Sequence, residues 1–117
     1  MPTPTINVPK TLADPQFLGT TIATLYTAPA GQDGVRLTAL LLMNQTTGSV
    51  TARVHHVPSG GSAGTSNRVI SDLAVPSDGV PILLDLAGVI LDPGDTIQAL
   101  AGAASSIVFA LYGIEMD

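Results

Sequence analysis

The chain has 117 residues, of which four are basic and nine acidic, so that only 11% are charged while 45% are hydrophobic. Its net charge is −5, and the scattered positions of Lys10, Arg36, Arg53 and Arg68 form no basic stripe that would favour nucleic acid as a partner. The sequence contains no cysteine, which excludes disulfides, thiolate metal sites and cysteine nucleophiles.

The first residues predict an extended arm over 1–16. Proline recurs there, and because it fixes φ and lacks an N–H donor it disfavours a helix or a central strand. The alternative is a frayed terminus. We expect the arm to pack on a partner through its apolar residues: Ile6, Val8 and Leu12.

Targeting and membrane segments are not expected. The opening "MPTPTINVPK" lacks the apolar centre of a signal peptide. No apolar run approaches the roughly 18 residues of a membrane-spanning helix. These features predict synthesis in the cytoplasm and no membrane partner.

Residues 17–117 are predicted to form one all-β domain. Short segments rich in β-branched and apolar residues alternate with turn residues such as "APAG", "PSDG" and "DPGD", which is typical of an antiparallel β-sandwich or jelly roll. We expect seven to eight strands, at residues 20–27, 35–44, 50–57, 68–75, 80–87, 96–102 and 106–116, with 89–91 as the eighth.

Two apolar runs, at 39–43 and 107–111, do not alternate with polar residues. Such runs indicate burial on both faces, and the outer face of a two-layer sandwich needs a covering to achieve it. With so few charges, we expect other subunits to supply that covering. The predicted subunit interface is the outward side of four residues: Leu40, Leu41, Leu42 and Met43. The alternative is a monomer whose neutral surface is covered by Thr and Gly.

The two histidines do not predict a metal or catalytic site. His55 and His56 are adjacent, so on a strand they point to opposite faces, with His55 in solvent and His56 hydrogen-bonded near the interior. A serine–histidine triad using Asp72 or Asp85 would lack a recognisable nucleophile motif. Glu115 is the only glutamate, which excludes paired-glutamate chemistry. We therefore expect no catalytic residues, cofactor or metal.

The glycine- and serine-rich stretch at 58–67 joins two predicted strands. It lacks the G-K-[ST] ending of a phosphate-binding loop. It is either a plain solvent loop or a tip that orders against a partner. In the second case the contact residues are Gly60, Gly61, Ser62, Ala63, Gly64 and Asn67.

The sequence resembles the small all-β virion proteins of tailed bacteriophages over residues 20–115. The resemblance is carried by four segments: "TTIATLYTAPAG", "VRLTALLLMNQTTGSVTARVHHVPSGGSAG", "ILDPGDTIQALA" and "VFALYGIEM". It implies a capsid decoration (cement) protein that lies on the virion surface, binds the major capsid protein and forms homo-oligomers, often trimers. It brings no catalytic residues.

Two other functions are open at this point. A tail or fibre component could bind a receptor or a glycan, although the chain has no tryptophan and we expect Tyr112 to lie in the core. A small jelly-roll enzyme would need metal ligands or a nucleophile motif that the sequence does not show.

Overall fold

The computed structural model describes residues 7–77, 79 and 81–116. Within them the chain forms nine β-strands and one short 3₁₀ helix, Thr65–Asn67. The strands are β1 (Asn7–Phe17), β2 (Ala23–Thr27), β3 (Gly34–Asn44), β4 (Val50–Val57), β5 (Arg68–Val75), β6 (Pro81–Asp85), β7 (Ile90–Leu91), β8 (Thr96–Ala101) and β9 (Ile107–Met116).

The strands form two antiparallel sheets, which confirms the predicted β-sandwich. One sheet has the order β1-β9-β3-β6, with β7 also paired to β3, and the other has the order β2-β8-β4-β5. Strands β4 and β5 have the predicted bounds, because turn residues flank both segments. β1 lies beside β9, and β2 lies beside β8. This nested pairing is compatible with the predicted jelly roll.

The predicted arm is in large part an edge strand. From Asn7 to Phe17 the chain is extended, as expected, but it pairs with β9 of its own sheet. Prolines are tolerated because this strand is at the sheet edge and its register is interrupted between Thr11 and Gln16. Ile6 and the side chain of Val8 lie outside the described residues. Leu12 is half-buried and packs on the chain's own core.

The core lies between the sheets and is built from inward residues of both. Opposed residues of an antiparallel ladder share a face, so the pairs Leu40–Leu111 and Leu42–Phe109 meet in the interior. Leu40 is 1% exposed and Leu42 0%, which corrects their assignment to a subunit interface. The other two residues of that assignment, Leu41 and Met43, point outward and are half-buried.

Gly113 shows how closely the strands approach one another. A Cβ at this position would lie 2.6 Å from the carbonyl oxygen of Arg36 and 2.7 Å from Cδ1 of Leu12. The neighbouring ladder is irregular between Leu37 and Ala39. A residue without a side chain is therefore required where β9 passes this bulge.

Candidate functional site

The outer face of the β1-β9-β3-β6 sheet is apolar. The outward rows run Val108–Met43–Pro81 and Ala110–Leu41–Leu83 across β9, β3 and β6. Phe17 of β1 extends the first row. We call this surface the outer apolar face, and its residues are Phe17, Leu41, Met43, Pro81, Leu83, Ile90, Val108, Tyr112 and Ile114; Ala110 of the second row is 0% exposed.

Several of these side chains are open to solvent. Leu83 is 65% exposed, Phe17 51% and Ile90 42%. Tyr112 also lies on this face and is half-buried, so the expectation that it belongs to the core was wrong. It pairs with Ala39, an outward residue of β3, which fixes its direction.

The charged positions on the outward side of β3, β6, β7 and β9 lie in two neighbouring rows. Among the paired outward residues of β3, β6, β7 and β9, the charged ones are Arg36, beside Ile114 and Ile90, and Asp85, beside Ala39. Four strand positions about 4.8 Å apart and about ten residues at 3.3 Å give an area on the order of 600 Å². The largest apolar patch on a monomer is usually ~300–600 Å², so this face, which includes the two charged positions, is at the upper end of that range.

The opposite outer face, on the β2-β8-β4-β5 sheet, is different in kind. Its outward residues on β8 and β4 are mainly polar: Thr96, Gln98, Leu100, Thr51, Arg53, His55 and Val57. Their inward neighbours Ala52, Val54 and Ala99 are at most 1% exposed, as expected for a sheet with one solvent-exposed face and one buried face. The sandwich therefore has one apolar and one polar outer surface.

The 58–67 loop folds back over that polar face. Asn67 holds it: its Oδ1 accepts hydrogen bonds from the Gly64 N–H at 3.0 Å and from Nδ1 of His55 at 2.8 Å, and its Nδ2 donates to the Ser62 carbonyl at 2.8 Å. The backbone donor identifies Oδ1 as the acceptor, so the His55 Nδ1 carries the hydrogen. His55 is consequently only 3% exposed, which corrects its predicted position in solvent. Strand alternation does direct His55 outward, and the loop that covers it is what removes its side chain from solvent.

The predicted contact residues of this loop differ in exposure. Gly60, Gly61 and Ser62 are exposed, whereas Ala63 and Gly64 are half-buried against the sheet. The bond from the Gly61 N–H to the Pro58 carbonyl, 2.9 Å long, closes a turn at the loop's start. The loop is thus ordered by its own chain, and a partner contact through it remains a prediction.

A groove beside this loop brings two of the chain's arginines together. It is lined by Thr21, Ile22, Arg53, His55, Ala63, Gly64, Arg68 and Leu100. Arg53 is paired with Asp72 through Nε–Oδ1 at 3.0 Å and Nη2–Oδ2 at 3.1 Å. Asp72 reaches it from a strand position with φ of 51°, a left-handed conformation that Asp tolerates better than most residues.

Glu115 is the centre of a polar cluster at one end of the sandwich. The Tyr26 hydroxyl donates to Oε2 at 2.6 Å, and Oε1 accepts from Lys10 Nζ at 3.0 Å and Gln32 Nε2 at 3.4 Å. The hydrogen bond from Tyr26 is the largest cause that lowers the pKa of Glu115, although burial opposes it. Burial, followed by the hydrogen bond to and the charge of Glu115, raises the pKa of Tyr26 above its ordinary value. The cluster ties β1, β2 and β9 together.

His56 is hydrogen-bonded, as predicted, and its partner is Asp95. Their Nε2 and Oδ2 atoms are 3.0 Å apart, and Asp95 also accepts from the backbone N–H groups of Ser59 and Asp92. Burial acts to raise the pKa of Asp95, but these three partners outweigh it and hold the pKa below its ordinary value. The site joins two turns, and Ser59 contributes its backbone rather than its hydroxyl.

The two aspartates considered for a triad lie elsewhere. Asp72 binds Arg53, and Asp85 accepts from the Ala87 N–H at 2.9 Å. Within the described residues, no three His, Asp or Glu side chains are grouped as metal ligands. No helix in the same part of the chain is long and apolar enough to cross a membrane.

The sequence contained signals for some of these contacts. Glu115 occupies an inward position of a strand whose other inward residues are apolar, Phe109 and Leu111, and this indicates a paired, buried carboxylate. The arginine groove has no such signal, because Arg68 follows a loop whose return path the sequence does not specify.

No protein-family model matches this chain, and comparison with curated proteins gives no match either. The surfaces described above and the resemblance carried by the four sequence segments are therefore the basis for a functional proposal.

Proposed function

We propose that this protein is a structural component of a tailed-bacteriophage virion, specifically a capsid decoration protein that self-associates through its outer apolar face. The observation that carries the proposal is that face, a surface centred on the apolar residues Leu41, Leu83 and Val108. The resemblance of residues 20–115 to small virion proteins supplies the setting.

A second copy of the chain is the occupant that this face fits best. Its area, on the order of 600 Å², is close to the ~800 Å² per partner of a standard interface. Its two charged residues, Arg36 and Asp85, have opposite signs and lie in neighbouring rows. Two copies facing one another can therefore pair Arg36 of each with Asp85 of the other. This reciprocal pairing has two-fold symmetry and joins two copies, so the proposed contact gives a dimer and not the trimer that the resemblance implies.

Attachment to the shell is assigned to other parts of the chain. The polar face, with the exposed Gly60–Ser62 tip of its loop, stays available when the outer apolar face is covered. The segment 1–6, which contains the predicted contact residue Ile6, precedes β1 in the sequence and is assigned to the same contact. Burial of apolar area on the major capsid protein, at about 25 cal/mol per Å², would stabilise the shell through many copies.

Self-association is tested by placing a carboxylate on the outer apolar face. Leu83→Asp and Phe17→Asp change side chains that are 65% and 51% exposed, so the fold should tolerate them. A carboxylate buried at an interface without a partner costs several kcal/mol, and we expect self-association to weaken by about 100-fold or more. Sedimentation should then give the 11.9 kDa monomer.

The matched control is Ile22→Asp. Ile22 is also an exposed apolar residue, at 40%, but it lies on the side of the other sheet. It should leave the oligomer intact. A wild-type chain that sediments as a monomer at all concentrations, or equal loss in all three variants, would overturn the assignment of this face.

The virion role is tested with shells that lack the protein. Purified wild-type chain should bind them with saturable stoichiometry, and should raise the temperature at which they break. Removal of residues 1–6 should weaken binding while leaving self-association unchanged. Binding to isolated tails and not to shells would show that the protein is a tail component instead.

A further inference from the structure

The groove on the polar face has a geometry that is independent of the outer apolar face. Register places Arg53 next to Leu100 of β8, and His55 next to Arg68 of β5. Arg53 and His55 are two residues apart on β4 and share its outward side. Arg53, His55 and Arg68 therefore all line one depression.

The two arginines differ in what they bind. The Arg53 guanidinium is engaged by the Asp72 carboxylate through two hydrogen bonds. The Arg68 guanidinium has one weak contact, from Nη1 to the Ser71 hydroxyl at 3.3 Å. Its Nε is buried and has no hydrogen-bond acceptor among the described residues. Leaving a buried donor unpaired is unfavourable, and more so for a charged group.

The groove also has apolar walls. Ile22 and Leu100 line it together with Ala63, and Ile22 is 40% exposed. A ligand that satisfies Arg68 would therefore contact hydrocarbon as well as the charged group. Two arginines against one aspartate leave the groove with one net positive charge, in a chain whose net charge is −5.

We propose that this groove binds one carboxylate carried on a short apolar stem, such as an acidic side chain of a partner polypeptide. The planar guanidinium presents parallel N–H donors that match the two oxygens of a carboxylate. A single negative charge balances the single unpaired guanidinium, whereas the acidic chain as a whole repels polyanions. The stem lies against Ile22 and Leu100.

The experiment is an NMR titration that observes the arginine Nε–H resonances of the folded protein. The probes are N-acetylglutamic acid α-amide, with the carboxylate on a side chain, and N-acetylleucine, with a terminal carboxylate. We expect a saturable shift of the Arg68 Nε–H with the first probe at millimolar concentrations, and a weaker one with the second. N-acetylglutamine α-amide, the neutral isostere, should give none.

Three variants identify the site. Arg68→Gln should weaken binding of the acidic probe at least tenfold, while Asp33→Asn, which alters an exposed side chain outside the groove and outside the outer apolar face, should leave it unchanged. Ile22→Asp places a carboxylate at the rim and should block the probe from within the chain. This third variant keeps the test decisive if Arg68→Gln does not fold.

Four results would overturn the proposal. The first is that the neutral isostere shifts the Arg68 Nε–H as much as the acid does, and the second is that Arg68→Gln or Ile22→Asp leaves binding of the acidic probe unchanged. The third is that inorganic phosphate binds more tightly than the acidic probe. The fourth is that no probe shifts the resonance. None of these results bears on self-association, which is measured separately by sedimentation.

Discussion

The single glutamate of the chain holds three elements together. Glu115 is 8% exposed, and a carboxylate removed from water to that degree needs charge-assisted hydrogen bonds to remain ionised. Tyr26, Lys10 and Gln32 supply them from β2, β1 and the loop that follows β2. Glu115 therefore links the two sheets through its hydrogen bonds.

Replacing Glu115 by Gln should destabilise the fold by about 1–3 kcal/mol at pH 7, because the bonds to charge are lost. The pKa of Glu115 is lower in the fold than its ordinary 4.5. Its contribution is therefore complete above about that pH and is lost as the pH falls through the lower folded value. Urea unfolding from pH 7 to pH 3 should show a smaller acid-induced loss in Glu115→Gln than in the wild type.

A second carboxylate contributes to the acid sensitivity of the fold. Asp95 also has a lowered pKa, so Glu115→Gln should keep the share of acid sensitivity that Asp95 contributes. The control is Asp14→Asn, which alters an exposed carboxylate on β1. Acid sensitivity that is the same in the wild type and Glu115→Gln would contradict the assigned role.

Single residues were predictable where local alternation decides and not where a distant segment does. His56 follows from strand alternation, and its hydrogen bond was predicted. His55 follows the same alternation, but the loop residue Asn67 buries it. Tyr112 was assigned to the core because its neighbours are apolar, although its position in the alternation directs it outward.

At the scale of elements, β1 shows that proline content alone does not separate an arm from an edge strand. Its pairs with β9 run from Asn7–Met116 to Phe17–Val108. An edge strand needs donors on one side only, so the prolines cost little. The other strands were predictable because turn residues flank each one, while the pairing of β1 with the last strand is a long-range contact that no local pattern encodes.

An edge strand and a detached arm at the N-terminus predict different results on truncation, and the structure has the edge strand β1. Removing residues 1–17 should lower stability by several kcal/mol, which corresponds to a melting temperature roughly 10–20 °C lower for a domain of about this size. It would also uncover the edge of β9 and promote aggregation. Removing residues 1–6 should change the melting temperature by only a few degrees.

Hydrogen exchange gives a second measurement of the same point. Amides of Ile107–Met116 should be protected in the wild type and in the shorter truncation, and should exchange faster in the longer one. Equal stability and equal protection in both truncations would show that β1 is a dispensable arm.

At the scale of the whole molecule, the two outer faces have opposite character. One is the outer apolar face, with Leu83 and Phe17 exposed, and the other carries Arg53, Arg68 and Gln98. The two faces thus differ mainly in the apolar side chains that the first one exposes, and this asymmetry was only half predictable. The apolar runs indicated a covered face, but which residues of each run point outward depends on the register.

The proposed self-association should therefore respond to solvent as an apolar interface does. Its affinity should rise in ammonium sulfate and fall on cooling. Between about 0.05 and 0.5 M NaCl it should change less than about tenfold, because exposed pairs such as Arg36–Asp85 are worth only about 0.2–1 kcal/mol each. Sedimentation equilibrium measures all three, and a steep loss of affinity with NaCl would indicate an electrostatic interface instead.

The sheet edges determine how far such contacts can propagate. Proline occurs in β1 at Pro9 and Pro15 and opens β6 at Pro81, while β5 is distorted at Asp72, whose φ is 51°. Each of these features interferes with the pairing of another chain's strand to the edge of the sheet. At these three of the four sheet edges, growth into filaments by edge pairing is thereby opposed, and copies that meet face to face can close into particles of fixed size.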